Sequence, residues 1–135
     1  RLLKGAEVKL PEGHSFKDKD GEPRHHIRVK WWGQADASYS ELAFGYDKET
    51  AKSFPDNQFP DKSSIPFYSK DENNKPVFFG HYWMTGTPEL QQENVCCVDY
   101  SAGKGGALVC YSLANPHGCD RLDAKNFNWF NDGKK

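Results

Sequence analysis

The chain has 135 residues, of which 36% are hydrophobic and 14% aromatic, with a formal net charge of -1; that size fits one compact domain or a piece of a larger one. The charges are mixed along the chain, so there is no basic stripe for a nucleic-acid polymer, and no apolar run approaches the roughly 20 residues of a membrane helix. Eight prolines and twelve glycines interrupt the pattern often, which disfavours long helices and favours short strands with long loops.

In chain order, Glu7 to Leu10 alternates and is ended by Pro11, as an edge strand would be. Residues 11–24 carry Gly13, Gly21 and Pro23 and read as an exposed loop or loose hairpin, with Asp20-Gly21 as its turn. His25 to Trp32 alternates with Ile27, Val29 and Trp31 on one face and His26, Arg28, Lys30 and Trp32 on the other, a half-buried strand. Ser38 with Glu41 three residues on is a capping box that predicts a short helix from about Tyr39. Lys52 to Lys75 reads as mostly loop.

The second half is more regular. The run 76–83 (PVFFGHYW) fits a central strand ending near Gly80 and His81. A second strand over 94–100, the glycine-rich turn 101–106 and a third strand over 107–113 form an antiparallel hairpin expected in the same sheet as 76–83. A last short element falls within 122–130. The fold class expected is α+β, strand-dominated, with 1–135 as a single domain or fragment.

The cysteines are Cys96, Cys97, Cys110 and Cys119. They form no CxxC pair, so reduced and partly buried thiols are expected rather than a zinc site. That fits a cytoplasmic location, as does the lack of a signal-peptide pattern. The chain opens at Arg1 without an initiator methionine, in keeping with a segment of a longer polypeptide.

Three places offer chemistry. His81 at a strand end can project an imidazole into a cleft as a ligand for Mn, Fe or Zn, or it is an ordinary structural histidine. In the turn 101–106, Gly103, Gly105 and Gly106 allow backbone N–H groups to converge on an anion with Lys104 adding charge; the simpler reading is a hairpin turn with an exposed lysine. Asp99 is placed to orient the ring of His81, or is a strand-end aspartate. His25 and His26 point to opposite faces of a strand, one exposed and one packed. His14 and His117 have no visible partner in the sequence. The pairs Trp31-Trp32 and Tyr82-Trp83 suit core packing on one side and cleft lining or base stacking on the other.

Taken together, residues 76–113 (PVFFGHYWMTGTPELQQENVCCVDYSAGKGGALVCYSL) resemble the closing segment of calcineurin-like metallophosphoesterases, nearest to bacterial serine/threonine phosphatase-like proteins and close to diadenosine tetraphosphatases. That family shows a strand ending in Gly-His, an Asn-Val-type strand leading to Asp, a Gly-Gly turn and a final strand. LLKGAEVKLPEG, residues 19–32 and RLDAKNF extend the likeness over most of the chain.

The resemblance implies the C-terminal part of a two-sheet α/β sandwich and a hydrolase acting on phosphoprotein, dinucleoside polyphosphate or another phosphoester. It also implies two divalent ions (Mn, Fe, Zn or Mg), about 3.5–4 Å apart, that activate water. His81 would be a metal ligand, Asp99 its orienter, and Tyr100 and Lys104 substrate-side groups. Trp83 stands where the wider GHxH pattern has a second histidine; the two branches named also use a single histidine there.

The family's Asp-x-His, Gly-Asp-x-x-Asp and Gly-Asn-His motifs do not occur in residues 1–135, and Asp18, Asp20, Asp36 and Asp47 stand in other contexts. The remaining ligands are therefore expected from a missing N-terminal catalytic portion, and the chain alone is expected to be inactive. The alternative is a self-standing β-rich binding module whose aromatic face is Trp31, Trp32, Tyr82 and Trp83.

Overall fold

The computed structural model describes residues 5–34, 36–56, 65, 67–68, 75–113 and 121–131. His117, Cys119 and most of the loop beyond residue 56 lie outside them. The fold is strand-dominated, with short helices and several small sheets. The chain divides into two compact units, Arg1–Tyr68 and Ser69–Lys135. None of the described helices is long and apolar enough to cross a membrane.

In the first unit, β1 (Glu7–Lys9) pairs antiparallel with β4 (His26–Arg28), and Val8 faces Ile27 across the ladder. Between them β2 (Phe16–Lys17) and β3 (Pro23–Arg24) form the expected hairpin. Its turn is closed by Asp18, whose carboxylate accepts the N–H groups of Asp20 and Glu22 and binds the Arg24 guanidinium at 2.7 Å. Hydrogen bonding to Arg24 holds the Asp18 carboxyl below the usual range.

The helix α1 (Tyr39–Leu42) starts where the capping box places it. Ser38 Oγ accepts the Glu41 N–H, and Glu41 Oε2 accepts the Ser38 N–H at 2.8 Å. It stops after four residues because Ala43 turns to extended backbone and bridges to Val29. A second helix, α2 (Lys48–Lys52), is capped by Asp47, where no element is expected from the sequence. Tyr39 and Leu42 turn inward onto Val8, Leu10, Ile27, Val29, Phe54 and Ile65. Fully burying Ile27 alone is worth about 1.5–3 kcal/mol. Phe16, Tyr46 and Phe54 meet edge to face, with centroids 5.0–5.6 Å apart, the favoured aromatic geometry.

Alternation of the fourth strand ends earlier than expected. Ile27 and Val29 share a buried face as a half-buried strand requires, but Trp31 of that face is only partly buried, and Trp32 of the opposite face is buried too. Beyond Lys30 the chain turns, with the Gly33 N–H donating to Lys30 O at 2.9 Å, so strand parity no longer applies. His25 and His26 are both exposed, not one packed and one exposed. His26 takes the outward position beside Ile27, and His25 precedes the strand, its ring 3.3 Å from His14 O.

The second unit departs from the single expected sheet. β7 (Val95–Cys97) is the centre of one three-stranded sheet, parallel to β5 (Val77–Phe79) and antiparallel to β6 (Leu90–Gln92). After Val98 the chain continues as β8 (Asp99–Tyr100) in another sheet, ordered β10-β9-β8, where β9 is Ala107–Tyr111 and β10 is Phe127–Phe130. The expected hairpin thus splits at Val98, whose N–H goes to Phe79 O at 3.0 Å and not to β9.

The strand predicted as central, β5, is an edge of its sheet. The central one is β7, whose three residues are all fully buried. The core of this unit joins Cys96 and Tyr100 to Ala107, Val109, Leu122 and Phe127.

Candidate functional site

Of the residues selected in the second unit, His81, Asp99 and Lys104 meet at one strained turn. The main chain leaves β5 at Gly80 and passes through His81 (φ 68°) and Trp83 (φ 48°); Ser101, at the end of β8, has φ 62°. Among the described residues these are the non-glycine positions with positive φ. For histidine that conformation is uncommon, and for a residue as bulky as tryptophan it is an outlier. Such strain persists only where surrounding contacts enforce it, and it concentrates at ligand sites.

Asp99 supplies the enforcing contacts. Its Oδ2 accepts the His81 N–H at 2.8 Å, and its Oδ1 accepts the Ser101 N–H at 3.1 Å. Its main-chain oxygen accepts the Met84 N–H at 2.9 Å. The Ser101 hydroxyl donates to Met84 O at 3.1 Å. Asp99 therefore positions the backbone that carries His81. Gly80 meets Asp99 Cβ only at ordinary contact distance from where its own Cβ would be, so close approach does not demand glycine there.

The His81 imidazole is exposed, and its ring centroid lies 5.7 Å from that of Trp83. The Trp83 indole is half exposed, and the Lys104 ammonium sits over it, 3.7 Å from the ring centroid. His81, Asp99 and Lys104 thus belong to one neighbourhood. Tyr100 is next to it in sequence but is a core residue. Its hydroxyl accepts the Glu89 N–H at 2.9 Å, and burial pushes its pKa up.

Three amides of the glycine-rich turn, those of Lys104, Gly105 and Gly106, bond internally. Lys104 and Gly106 N–H groups donate to Ser101 O, at 2.8 and 2.9 Å, and the Gly105 N–H donates to Ala102 O. These N–H groups do not converge outward on an anion; they close a 3-10 turn over Ala102–Lys104. Gly106 is required sterically, since a Cβ there would collide with the Tyr100 carbonyl oxygen and the Ser101 main chain.

Cys96 and Cys97 are free, buried thiols. Burial pushes the Cys96 pKa up to about 12 and the Cys97 pKa up to about 11, so neither is an activated nucleophile at neutral pH. Cys110 is free and exposed.

The first unit holds an open groove of 1260 Å³ lined by residues including Lys9, Glu12, Arg24, His25, His26 and Tyr46. Sequence reasoning did not select it, because its residues come from separate segments and carry both signs of charge. Of the four rings suggested as an aromatic face, Trp32 and Tyr82 are buried, Trp31 is partly buried and Trp83 is well exposed.

Among the described residues no group of three or more His, Cys, Asp or Glu side chains is arranged to hold a metal ion. The two Asp99 carboxylate oxygens already receive main-chain N–H groups. The described residues alone therefore do not fit a two-metal centre, which needs several protein ligands per ion. No protein-family model, curated protein or solved structure matches the chain.

Proposed function

We propose that this chain is the C-terminal portion of a metal-dependent phosphoesterase, with His81 as one ligand of a two-metal centre completed by residues of another part of the polypeptide. The observation that carries this reading is the His81 turn, where an exposed imidazole stands on strained backbone held by the Asp99 carboxylate. Fixing a ligand on over-determined backbone is what a precise metal site requires. The order Gly80-His81, Asn94-Val95, Asp99, Gly105-Gly106 adds the sequence resemblance.

In this reading the parent fold is a metallophosphoesterase sandwich to which the chain contributes strands, and the substrate is a phosphoester of phosphoprotein or a dinucleoside polyphosphate. The metals, drawn from Mn, Fe, Zn and Mg, supply the activated water when bound. Asp99 acts through the main chain of His81, Lys104 lies on the substrate side, and Tyr100 supports the turn from the core. The location is cytoplasmic. A second reading, a binding module, is favoured by the exposed Trp83 beside Lys104.

Residues 1–135 incubated with Mn and an aryl phosphate should show no turnover above the metal-only blank. Sustained turnover that a His81→Ala change abolishes would contradict the division of ligands proposed here.

A further inference from the structure

Resting on that reading of the site, we propose that Trp83 and Lys104 form a recognition platform for a small aromatic phosphate ester. Lys104 pairs with the phosphate and Trp83 stacks on the planar group. This narrows the substrate class to esters whose organic part carries an aromatic ring, as opposed to aliphatic phosphoesters.

Rigidity is the first argument. The Trp83 main chain is bracketed by hydrogen-bonded neighbours: the His81 N–H on Asp99 Oδ2 and the Met84 N–H on Asp99 O. The Ser101 hydroxyl also holds Met84 O. An aromatic ring on fixed backbone loses little freedom when a ligand stacks on it.

Exposure is the second. A tryptophan residue that is 51% exposed and held in an unfavourable backbone conformation is not explained by core packing.

Charge is the third. The Lys104 ammonium rests on the ring face, 3.7 Å from the centroid. At an exposed site that attraction is weak, so an incoming phosphate draws the ammonium toward the ring edge and bares the face. A neutral aromatic molecule would have to displace the ammonium with no charge to receive it, and a bare phosphate would leave the indole uncovered. Both halves of the ligand are needed. The His81 imidazole, 5.7 Å from the same indole, places this platform beside the proposed metal ligand.

The test uses the full 135-residue chain without metal, titrated with phenylphosphonate, adenosine monophosphate and methylphosphonate. Binding is followed by nuclear magnetic resonance at the Trp83 indole N–H and the Lys104 side chain. The two aromatic ligands should bind at least about fivefold more tightly than methylphosphonate, in line with the strength of single aromatic stacks. Trp83→Leu should erase that preference, Trp83→Phe should keep part of it, and Lys104→Gln should weaken all three ligands.

A tighter adenosine monophosphate complex identifies the aromatic group as a nucleobase; a tighter phenylphosphonate complex identifies a simple aryl group. Equal affinity for aromatic and methyl ligands overturns the platform. So does a preference that survives Trp83→Leu, or an absence of binding by all three. Because metal is omitted, failure here leaves the His81 ligand assignment standing, and loss of that assignment would not alter these titrations.

Discussion

The α1 region of the first unit and the His81 turn of the second are both short, local structures, yet they are stabilised in opposite ways. At α1 every local preference agrees with the fold: Ser38 caps, Glu41 returns the bond, and Tyr39 and Leu42 face the core. At the His81 turn three residues sit where their side chains disfavour the backbone, and the Asp99 carboxylate holds two of their amides. Consistency across levels marks structure built for stability, and local violations mark places where something else is selected. That contrast is the physical basis for the site proposed at the second turn.

Breaking the enforcing group should have the largest effect. Asp99→Ala leaves two main-chain N–H groups without their carboxylate and should cost about 2–3 kcal/mol in urea unfolding. A change below about 0.5 kcal/mol would mean that the turn is not held by Asp99. Relieving the strain should do the reverse: His81→Gly suits the positive φ and should raise stability by about 1 kcal/mol. A destabilised His81→Gly protein would show that the imidazole serves packing and not a ligand.

In the unstrained region, Ser38→Ala should lower stability by about 0.5–1 kcal/mol, as for ordinary caps. The His81 and Ser38 changes thus carry opposite signs, which sharpens the comparison.

The smallest effect expected concerns pH. Cys96 and Cys97 have folded pKa values raised above the ordinary 9.0, to about 12 and about 11. The folded state therefore keeps protons that the unfolded chain begins to lose, so their contribution is complete only well below pH 9, starts to decline as pH approaches 9 and is lost as pH rises to the folded values. From pH 8 to pH 9 the two thiols should lower stability by about 0.7 kcal/mol in total. Urea unfolding of the protein and of a Cys96→Ala, Cys97→Ala double variant checks this: the variant should lose that slope, and an equal slope in both would assign it to other groups.

Legibility followed the range of the interactions. The capping box at Ser38, the Asp20-Gly21 turn and the shared face of Ile27 and Val29 were readable because spacing alone fixes them. The split of residues 95–100 between two sheets was not. Which partner takes the Val98 N–H depends on Phe79, nineteen residues earlier by subtraction of the two positions, and alternation carries no such information. The burial of Trp32 was missed because a turn at Gly33 broke the parity.

At the site, His81, Asp99 and Lys104 could be selected by residue type and spacing. The backbone route from Asp99 to His81 could not, nor could the cation over Trp83, because positive φ in non-glycine residues leaves no trace in composition.

The proposed function is tested most directly by counting metal ions on the polypeptide encoded by the whole open reading frame that contains these residues, with and without His81→Ala. Equilibrium dialysis against Mn should give two ions per chain for the unaltered protein and a clear loss of one in the variant, with phosphoester turnover falling in parallel. An unchanged metal count in the His81→Ala protein, or an open reading frame that adds no further ligands, would contradict it.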